Sequence, residues 1–179
     1  MLKIHQAETD EHRDHAKRLF SEHLEWANSM CASELGTSFD VAAVVEQAMA
    51  KLDKLSPPDG RLLLAQWGTE TAGCGCLWKI GDGVGEIKRM YVRPEHRGKG
   101  IGRSLLDALL REALQIGYST VRLDTAPFMK QAQTLYRSVG FKDVGPYART
   151  EIPKELHARW LFMELSLADV AADDAAESR

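Results

Sequence analysis

The chain has little of what would mark a secreted, membrane-bound or nucleic-acid-coating protein. It holds three cysteines in 179 residues, Cys31, Cys74 and Cys76, an odd number without framework spacing, which argues against structural disulfides. Cys74-Gly75-Cys76 would put both sulfurs on one face of a strand, because side chains alternate with period two. Without further ligands at suitable spacing this is not a zinc site, and small core residues are the simpler reading, so no metal is expected. No apolar run approaches the roughly 18 residues that span a bilayer. The opening Met1-Leu2-Lys3-Ile4-His5-Gln6 lacks the basic and apolar stretches of a secretory signal, so a cytoplasmic location with no membrane partner is expected. The net charge of −3 is opposite to the basic surface that nucleic-acid binding demands. A Walker loop, glycine then four residues then Gly-Lys-Ser/Thr, is also missing.

At this length, with 44% hydrophobic residues, the chain can bury one sizeable core. One domain over residues 1–167 is expected, with 168–179 as a flexible tail. The stretch from Ser166 onward is rich in Ala and Asp and has no aromatic anchor. Charge is unevenly spread. Lys88, Arg89, Arg93, Arg97, Lys99 and Arg103 cluster against the single acid Glu95, a local basic stripe that suits one polyanionic small ligand. A solvated charged face is the plainer alternative.

Hydrophobic periodicity predicts a mixed α/β order. Leu2-Lys3-Ile4 reads as a short strand. Glu11 to about Met30 reads as a helix, with Ala16, Leu19, Phe20, His23, Leu24 and Ala27 at helical spacing. A break follows over Cys31–Ser38. Asp40 is a plausible N-cap for a helix from Val41 to about Leu55, and Ser56-Pro57-Pro58-Asp59-Gly60 stops it. Arg61–Trp67, Gly73–Ile80 and Val84–Val92 read as strands, the last two joined by the turn Gly81-Asp82-Gly83. Gly102–Ile116 is a leucine-striped helix closed by Gly117. Thr120–Thr125 is a strand, Met129–Val139 a helix ended by Gly140, and Phe141–Leu165 holds two more strands. A strand, a glycine loop, a long helix and a parallel strand make a βαβ unit in a mixed sheet.

The most informative run is Arg97-Gly98-Lys99-Gly100-Ile101-Gly102-Arg103, between a strand and that helix. Its glycines let backbone approach a ligand closely, and the helix aims its unpaired first-turn N–H groups and positive dipole end into the turn. This arrangement holds a phosphate or pyrophosphate with backbone donors. The dinucleotide fingerprint fails on spacing, because Arg103 stands where its last glycine belongs. What fits is Arg/Gln-x-x-Gly-x-Gly/Ala, at Arg97, Gly100 and Gly102.

On those residues the chain resembles the GCN5-related N-acetyltransferase (GNAT) superfamily, whose acetyl-coenzyme A pyrophosphate loop has that pattern. Tyr91-Val92-Arg93-Pro94-Glu95-His96-Arg97 is similar to its strand-to-loop entry, and Leu135-Tyr136-Arg137-Ser138-Val139-Gly140-Phe141 to its second signature. The likeness runs from about Leu62 to Leu167. It implies a GNAT-like acyl-CoA N-acyltransferase fold: a twisted mixed sheet, flanked by helices, whose fourth and fifth strands splay to admit the cofactor. It implies an enzyme that moves the acetyl group of acetyl-CoA to a primary amine of a small molecule or amino acid, by direct attack in a ternary complex. A longer acyl donor, or a non-catalytic acyl-CoA-binding module, are the alternatives. Homodimers are frequent in the superfamily, and no residue here decides the point.

The resemblance also assigns residues. Backbone N–H groups of Gly98, Lys99, Gly100, Ile101, Gly102 and Arg103 would hold the pyrophosphate, and the Arg97 side chain could add a charge-assisted contact. The backbone of Met90, Tyr91 and Val92 would pair with the pantetheine arm. Tyr136 would protonate the departing thiolate; a core-edge tyrosine is the competing reading. Glu86 matches by position the base of the histone-acetylating branch, with an exposed strand glutamate paired to Lys88 as the even alternative and ordered water as another. Met129 stands where many relatives have an asparagine for the pantetheine. The acceptor is expected near Glu25–Asp40, a stretch containing Trp26, Asn28, Glu34, Phe39 and Asp40. His96, beside the glycine loop, reads as a solvent-exposed residue, with a contact to phosphate or adenine as the alternative.

Overall fold

The structure is a computed structural model and describes residues 1–168. The expected flexible tail therefore lies outside the described residues, apart from its first residue. Seven strands form one sheet in the order β1-β2-β3-β4-β5-β7-β6. They are β1 (Leu2–Gln6), β2 (Arg61–Trp67), β3 (Glu70–Gly81), β4 (Val84–Val92), β5 (Thr120–Thr125), β6 (Lys142–Val144) and β7 (Leu161–Ser166). Four helices flank it: α1 (Asp10–Leu35), α2 (Val41–Met49), α3 (Ile101–Ile116) and α4 (Lys130–Val139). Ser166 and Leu167 are tied in, since Ser166 pairs with Thr120 and the Leu167 N–H donates to the Ser119 carbonyl. None of the described helices is long and apolar enough to cross a membrane.

Local signals explain most boundaries. The Thr9 hydroxyl caps α1 by accepting from the His12 N–H, with Asp10 and Glu11 favouring the dipole in the first turn. The expected break at Cys31 does not occur. Cys31 continues the buried stripe of Ala16, Leu19, Phe20, Leu24 and Ala27, so burial carries the helix on to Leu35, where Gly36 stops it at φ 68°. Asp40 caps α2 as expected, accepting from the Ala43 N–H at 3.0 Å. That helix ends at Met49, and Leu52–Leu55 forms a short 3-10 turn instead.

Both faces of the sheet are covered, which is why β2 reads as a continuous apolar run. Leu63 faces the side of α3 with Leu105, Leu106 and Leu109, while Leu62 and Leu64 face α1 and α2 with Leu19, Phe20 and Val45. Cys74 and Cys76 are buried on that second side.

Two features of β4 set up the site. First, β4 and β5 pair in parallel only through Val84–Thr120, Gly85–Val121 and Glu86–Arg122. From Ile87 on, the two strands part and leave a notch. Second, the β3–β4 register shifts between Cys74–Tyr91 and Cys76–Lys88, so Gly75 faces two residues, Arg89 and Met90. This bulge puts Arg89 at φ 52°, a left-handed conformation uncommon outside glycine. It re-aims the side chains of β4 just where the notch opens.

Gly73 keeps β3 tight against the end of β4. A Cβ there would lie 2.4 Å from the Tyr91 carbonyl oxygen, a backbone atom that cannot swing aside. Gly73→Ala is expected to destabilise the fold by about 1–3 kcal/mol, read as a lower denaturant midpoint. An unchanged midpoint would contradict this close approach.

Candidate active site

The glycine loop sits at the mouth of the notch. Pro94–His96 make a 3-10 turn, the chain passes Arg97 in extended conformation, and Gly98 and Gly100 turn it at φ 75° and 76°. A Cβ on either glycine would meet nothing within 4 Å. Their faces are open, and left-handed backbone is what fixes glycine there. Gly100 is the N-cap of α3 and supplies no capping side chain, so the first-turn N–H groups of Ile101, Gly102 and Arg103 have no capping group of the protein's own. Gly102 differs, because its Cβ position lies 3.7 Å from Leu135 and 3.9 Å from Val92. There α3 packs against α4 and β4 at ordinary contact distance, which seats the loop beside Tyr136's helix.

Side chains brace this loop. Arg93 reaches Glu22 of α1 through two hydrogen bonds of 2.9 and 2.6 Å and donates to the Thr71 carbonyl at 2.8 Å. His96 is buried, not solvent-exposed as the sequence led us to expect. Its Nε2 lies 3.1 Å from Glu70 and its Nδ1 3.4 Å from the Lys99 ammonium. Sequence adjacency to a loop could not show that the ring turns inward. The Arg97 Nε donates to the Val92 carbonyl at 3.0 Å. Among the described residues, Arg97 and Lys99 have no carboxylate within salt-bridge range, whereas Arg103 pairs with Asp107 and Lys88 with Glu151. The basic stripe thus resolves into braces and two cations free to face an anion. Together these features fit a diphosphate: uncapped amides, open glycine faces and unmatched positive charge.

Met90, Tyr91 and Val92 lie along the β4 edge, which no strand covers on the β5 side beyond Glu86. Such an edge offers unpaired backbone groups to an extended ligand. Tyr136 of α4 is buried against Phe141, with ring centroids 5.8 Å apart. Burial, then the nearby Asp124 charge, pushes its phenol well above the usual range, so it stays protonated at neutral pH.

On the opposite face of the sheet lies a cavity of about 610 Å³ that reaches the notch. Its walls come from α1 (His23, Leu24, Ala27, Cys31), the loop after it (Thr37, Ser38, Phe39), β3 and β4 (Trp78, Lys88, Arg89), the end of β5 (Asp124, Thr125) and the segment before β7 (Glu151, Ile152, Trp160). Met129 also lines it. Of the stretch Glu25–Asp40 expected for the acceptor, Ala27, Cys31, Thr37, Ser38 and Phe39 line the cavity, while Trp26, Asn28, Glu34 and Asp40 do not. The Asn28 side-chain Oδ1 instead accepts the Phe39 N–H at 2.8 Å, Asp40 is a helix cap, and Trp26 is exposed and packs edge-on against Phe128. The Arg159 guanidinium ties the segment before β7 to the end of α1 by donating to the Leu35 and Glu34 carbonyls.

Glu86 is fully buried at the closed end of the β4–β5 pair. It accepts hydrogen bonds from Trp78 Nε1 at 2.5 Å and the Tyr147 hydroxyl at 2.7 Å, with the Lys88 ammonium at 3.8 Å. Burial pushes its carboxyl up, against Lys88 and the two donors. It is absent from the cavity surface and stands behind Trp78 and Lys88.

Asp124 does line the cavity. Its Oδ1 accepts from Trp160 Nε1 at 2.8 Å, and burial raises its pKa, partly offset by Lys88. Sequence reasoning read β5 correctly but passed over Asp124. The signal was the alternation of Val121, Leu123 and Thr125 with Arg122 and Asp124, which any half-solvated strand also shows. Two buried polar atoms in these walls lack hydrogen-bond partners, Thr125 Oγ1 and His23 Nδ1. Burial, aided by Arg89 and Arg97, holds His23 at a pKa of about 4, so its ring is neutral at pH 7.

Known proteins of the same kind fit this geometry. The acetyltransferase (GNAT) family model matches residues 25–141. Over 148 residues, 82% of this chain and 86% of the relative, the chain is 34% identical to an uncharacterized N-acetyltransferase of Schizosaccharomyces pombe. Over 97 residues it is 40% identical to an IAA acetyltransferase of Azospirillum brasilense, covering 54% of this chain and 63% of that one. The fold matches a crystal structure of the PaiA N-acetyltransferase of Thermoplasma acidophilum in complex with coenzyme A, with a TM-score of 0.70 over 93% of this chain and 99% of the other, at 19% identity.

Gly100→Glu would force a side chain into left-handed backbone and aim a carboxylate at the open face. Calorimetric titration with acetyl-CoA is expected to lose its binding heat in that variant, at least tenfold in affinity. Equal binding by variant and wild type would refute the placement.

Proposed function

The chain belongs to the acetyltransferase (GNAT) family and is an acetyl-CoA-dependent N-acetyltransferase, and we propose that its acceptor is the primary amine of a small molecule or amino acid, attacked directly in a ternary complex. The observation that carries this reading is the open-mouthed cavity of about 610 Å³ meeting the notch from the face opposite α3 and α4. Its size suits a small molecule. Donor and acceptor would then approach from opposite sides of the sheet, and each would be held before reaction.

The donor supplies a thioester carbonyl that an amine can attack. In this reading its diphosphate lies on the amides of Gly98 to Arg103, with Arg97 and Lys99 adding charge. Its extended arm runs along Met90, Tyr91 and Val92, where a backbone N–H would polarise the carbonyl. Tyr136 donates its phenolic proton to the leaving sulfur, a role supported by its helix's contact with the loop.

The arriving ammonium has a pKa near about 10 and must lose a proton to attack. Asp124, two residues beyond the last β4–β5 pair, is a carboxylate at the cavity surface beside the notch and is the proton acceptor we favour, directly or through a water. Burial weakens its hold on charge, which brings its basicity closer to the task. Glu86, the base implied by family position, has both oxygens engaged. In this account it holds Trp78 and Tyr147 in place behind the wall.

Amine-dependent release of free thiol from acetyl-CoA tests these assignments. Asp124→Asn keeps an oxygen for Trp160, so the fold should persist while kcat/KM falls about 10²-fold or more. A base must be ionised, so activity in the wild type should rise with pH through a limb displaced above the ordinary carboxylate range, and Asp124→Asn should abolish that limb. Tyr136→Phe should lower kcat with coenzyme binding intact. Loss of the limb in Glu86→Gln but not in Asp124→Asn would return the role to Glu86.

A further inference from the structure

Three cations inside the acceptor cavity converge on one carboxylate. Lys88 Nζ lies 2.9 Å, Lys51 Nζ 3.3 Å and an Arg89 terminal nitrogen 4.0 Å from Glu151 oxygens. Lys88 and Arg89 project from the notch end of β4, and the bulge that holds Arg89 at φ 52° aims it there. Lys51 comes from the turn after α2, and Glu151 from the segment between β6 and β7. The Lys88 and Arg89 side chains are only 13% and 16% exposed. Two nearly buried cations and a third beside them exceed what a single loop carboxylate can match.

Two other acids lie near the cluster but are engaged elsewhere. Glu86 lies 3.8 Å from Lys88 but is committed to Trp78 and Tyr147, and Asp124 makes no salt bridge with any of the three. The Trp78 ring underlies both lysines, with their ammonium groups 5.7 and 5.4 Å from its centroid, which fixes where the charges point. The same walls hold the unpartnered Thr125 Oγ1, buried at 3% exposure and close to the notch. Polar atoms left bare in a cavity mark where a ligand supplies the missing partner.

We propose that the acceptor is an amino carboxylate, an amino acid or close analogue, whose carboxylate is taken by Lys51, Lys88 and Arg89 while its amine faces Asp124. This rests on reading the cavity as the acceptor site. Glu151 marks the anion position. Burial alone would raise its pKa, yet Lys88, Arg89 and Lys51 hold it below the usual carboxylate range, so the spot favours negative charge on balance. A bound carboxylate joins Glu151 there or displaces it. The same field disfavours polycationic acceptors.

Matched pairs that differ only by the carboxylate test this: phenylalanine against phenethylamine, tryptophan against tryptamine, leucine against isopentylamine. Free-thiol release with acetyl-CoA gives kcat/KM for each. The carboxylated member is expected to exceed its partner about tenfold or more in at least one pair. Lys51→Met should drive that ratio toward one, and Lys51→Arg should restore it. A ratio at or below one in every pair overturns the inference while leaving the acetyltransferase reading intact. Failure of every acceptor, with acetyl-CoA still bound by calorimetry, rejects the amino carboxylate alone. Failure of acetyl-CoA binding removes the site reading as well.

Discussion

Three residue pairs of parallel ladder, and no more, hold β4 against β5, and everything the molecule does depends on that early divergence. A sheet closed along its whole length would leave no path from one face to the other. Because the ladder stops at Glu86, the β4 edge is free to accept an extended ligand. A cavity on the α1–α2 face and a phosphate-type loop on the other side then share one opening. The costs of this arrangement are local. Arg89 sits in left-handed backbone, Gly73 allows no Cβ, and Arg93 must clamp the loop entry to α1 through Glu22.

Electrostatics divides the site into two halves of different character. Outside, helix-dipole and amide donors at α3 join Arg97 and Lys99, an assembly suited to multiple negative charge in contact with water. Inside, the charges are arranged in opposition, Asp124 near the notch and three cations around Glu151, with Lys88 and Arg89 largely shielded and Lys51 and Glu151 partly exposed. Charges of both signs in a low-dielectric cavity discriminate among ligands more than they stabilise the fold. On the proposed reading, that is the physical reason the inner half, rather than the loop, would select the amine.

The legible part of the sequence was what local rules govern. The glycine loop, the Asp40 cap, the αL glycines closing α3 and α4, and the span of β5 followed from spacing, and the family's fold from two motifs in order. What stayed hidden was whatever depends on distant segments meeting. Lys51, Trp78, Arg89 and Glu151 belong to separate elements, and no periodicity says they line one cavity. His96 read as surface because its partner Glu70 lies across a turn of another strand. Glu86 was conspicuous by position, yet its surroundings, Trp78 eight residues before it and Tyr147 sixty-one after it, are visible only in the fold. The helix that ran past Cys31 failed the local reading for the same reason: burial against the sheet outweighed a weak stop.

Backbone amide exchange, followed residue by residue with and without acetyl-CoA, addresses the central claim most directly. The account predicts that exchange slows at the amides from Gly98 to Arg103 and along Met90 to Val92, with little change on β1 and β2. Protection confined to other segments, with the loop exchanging at its free rate, would contradict it.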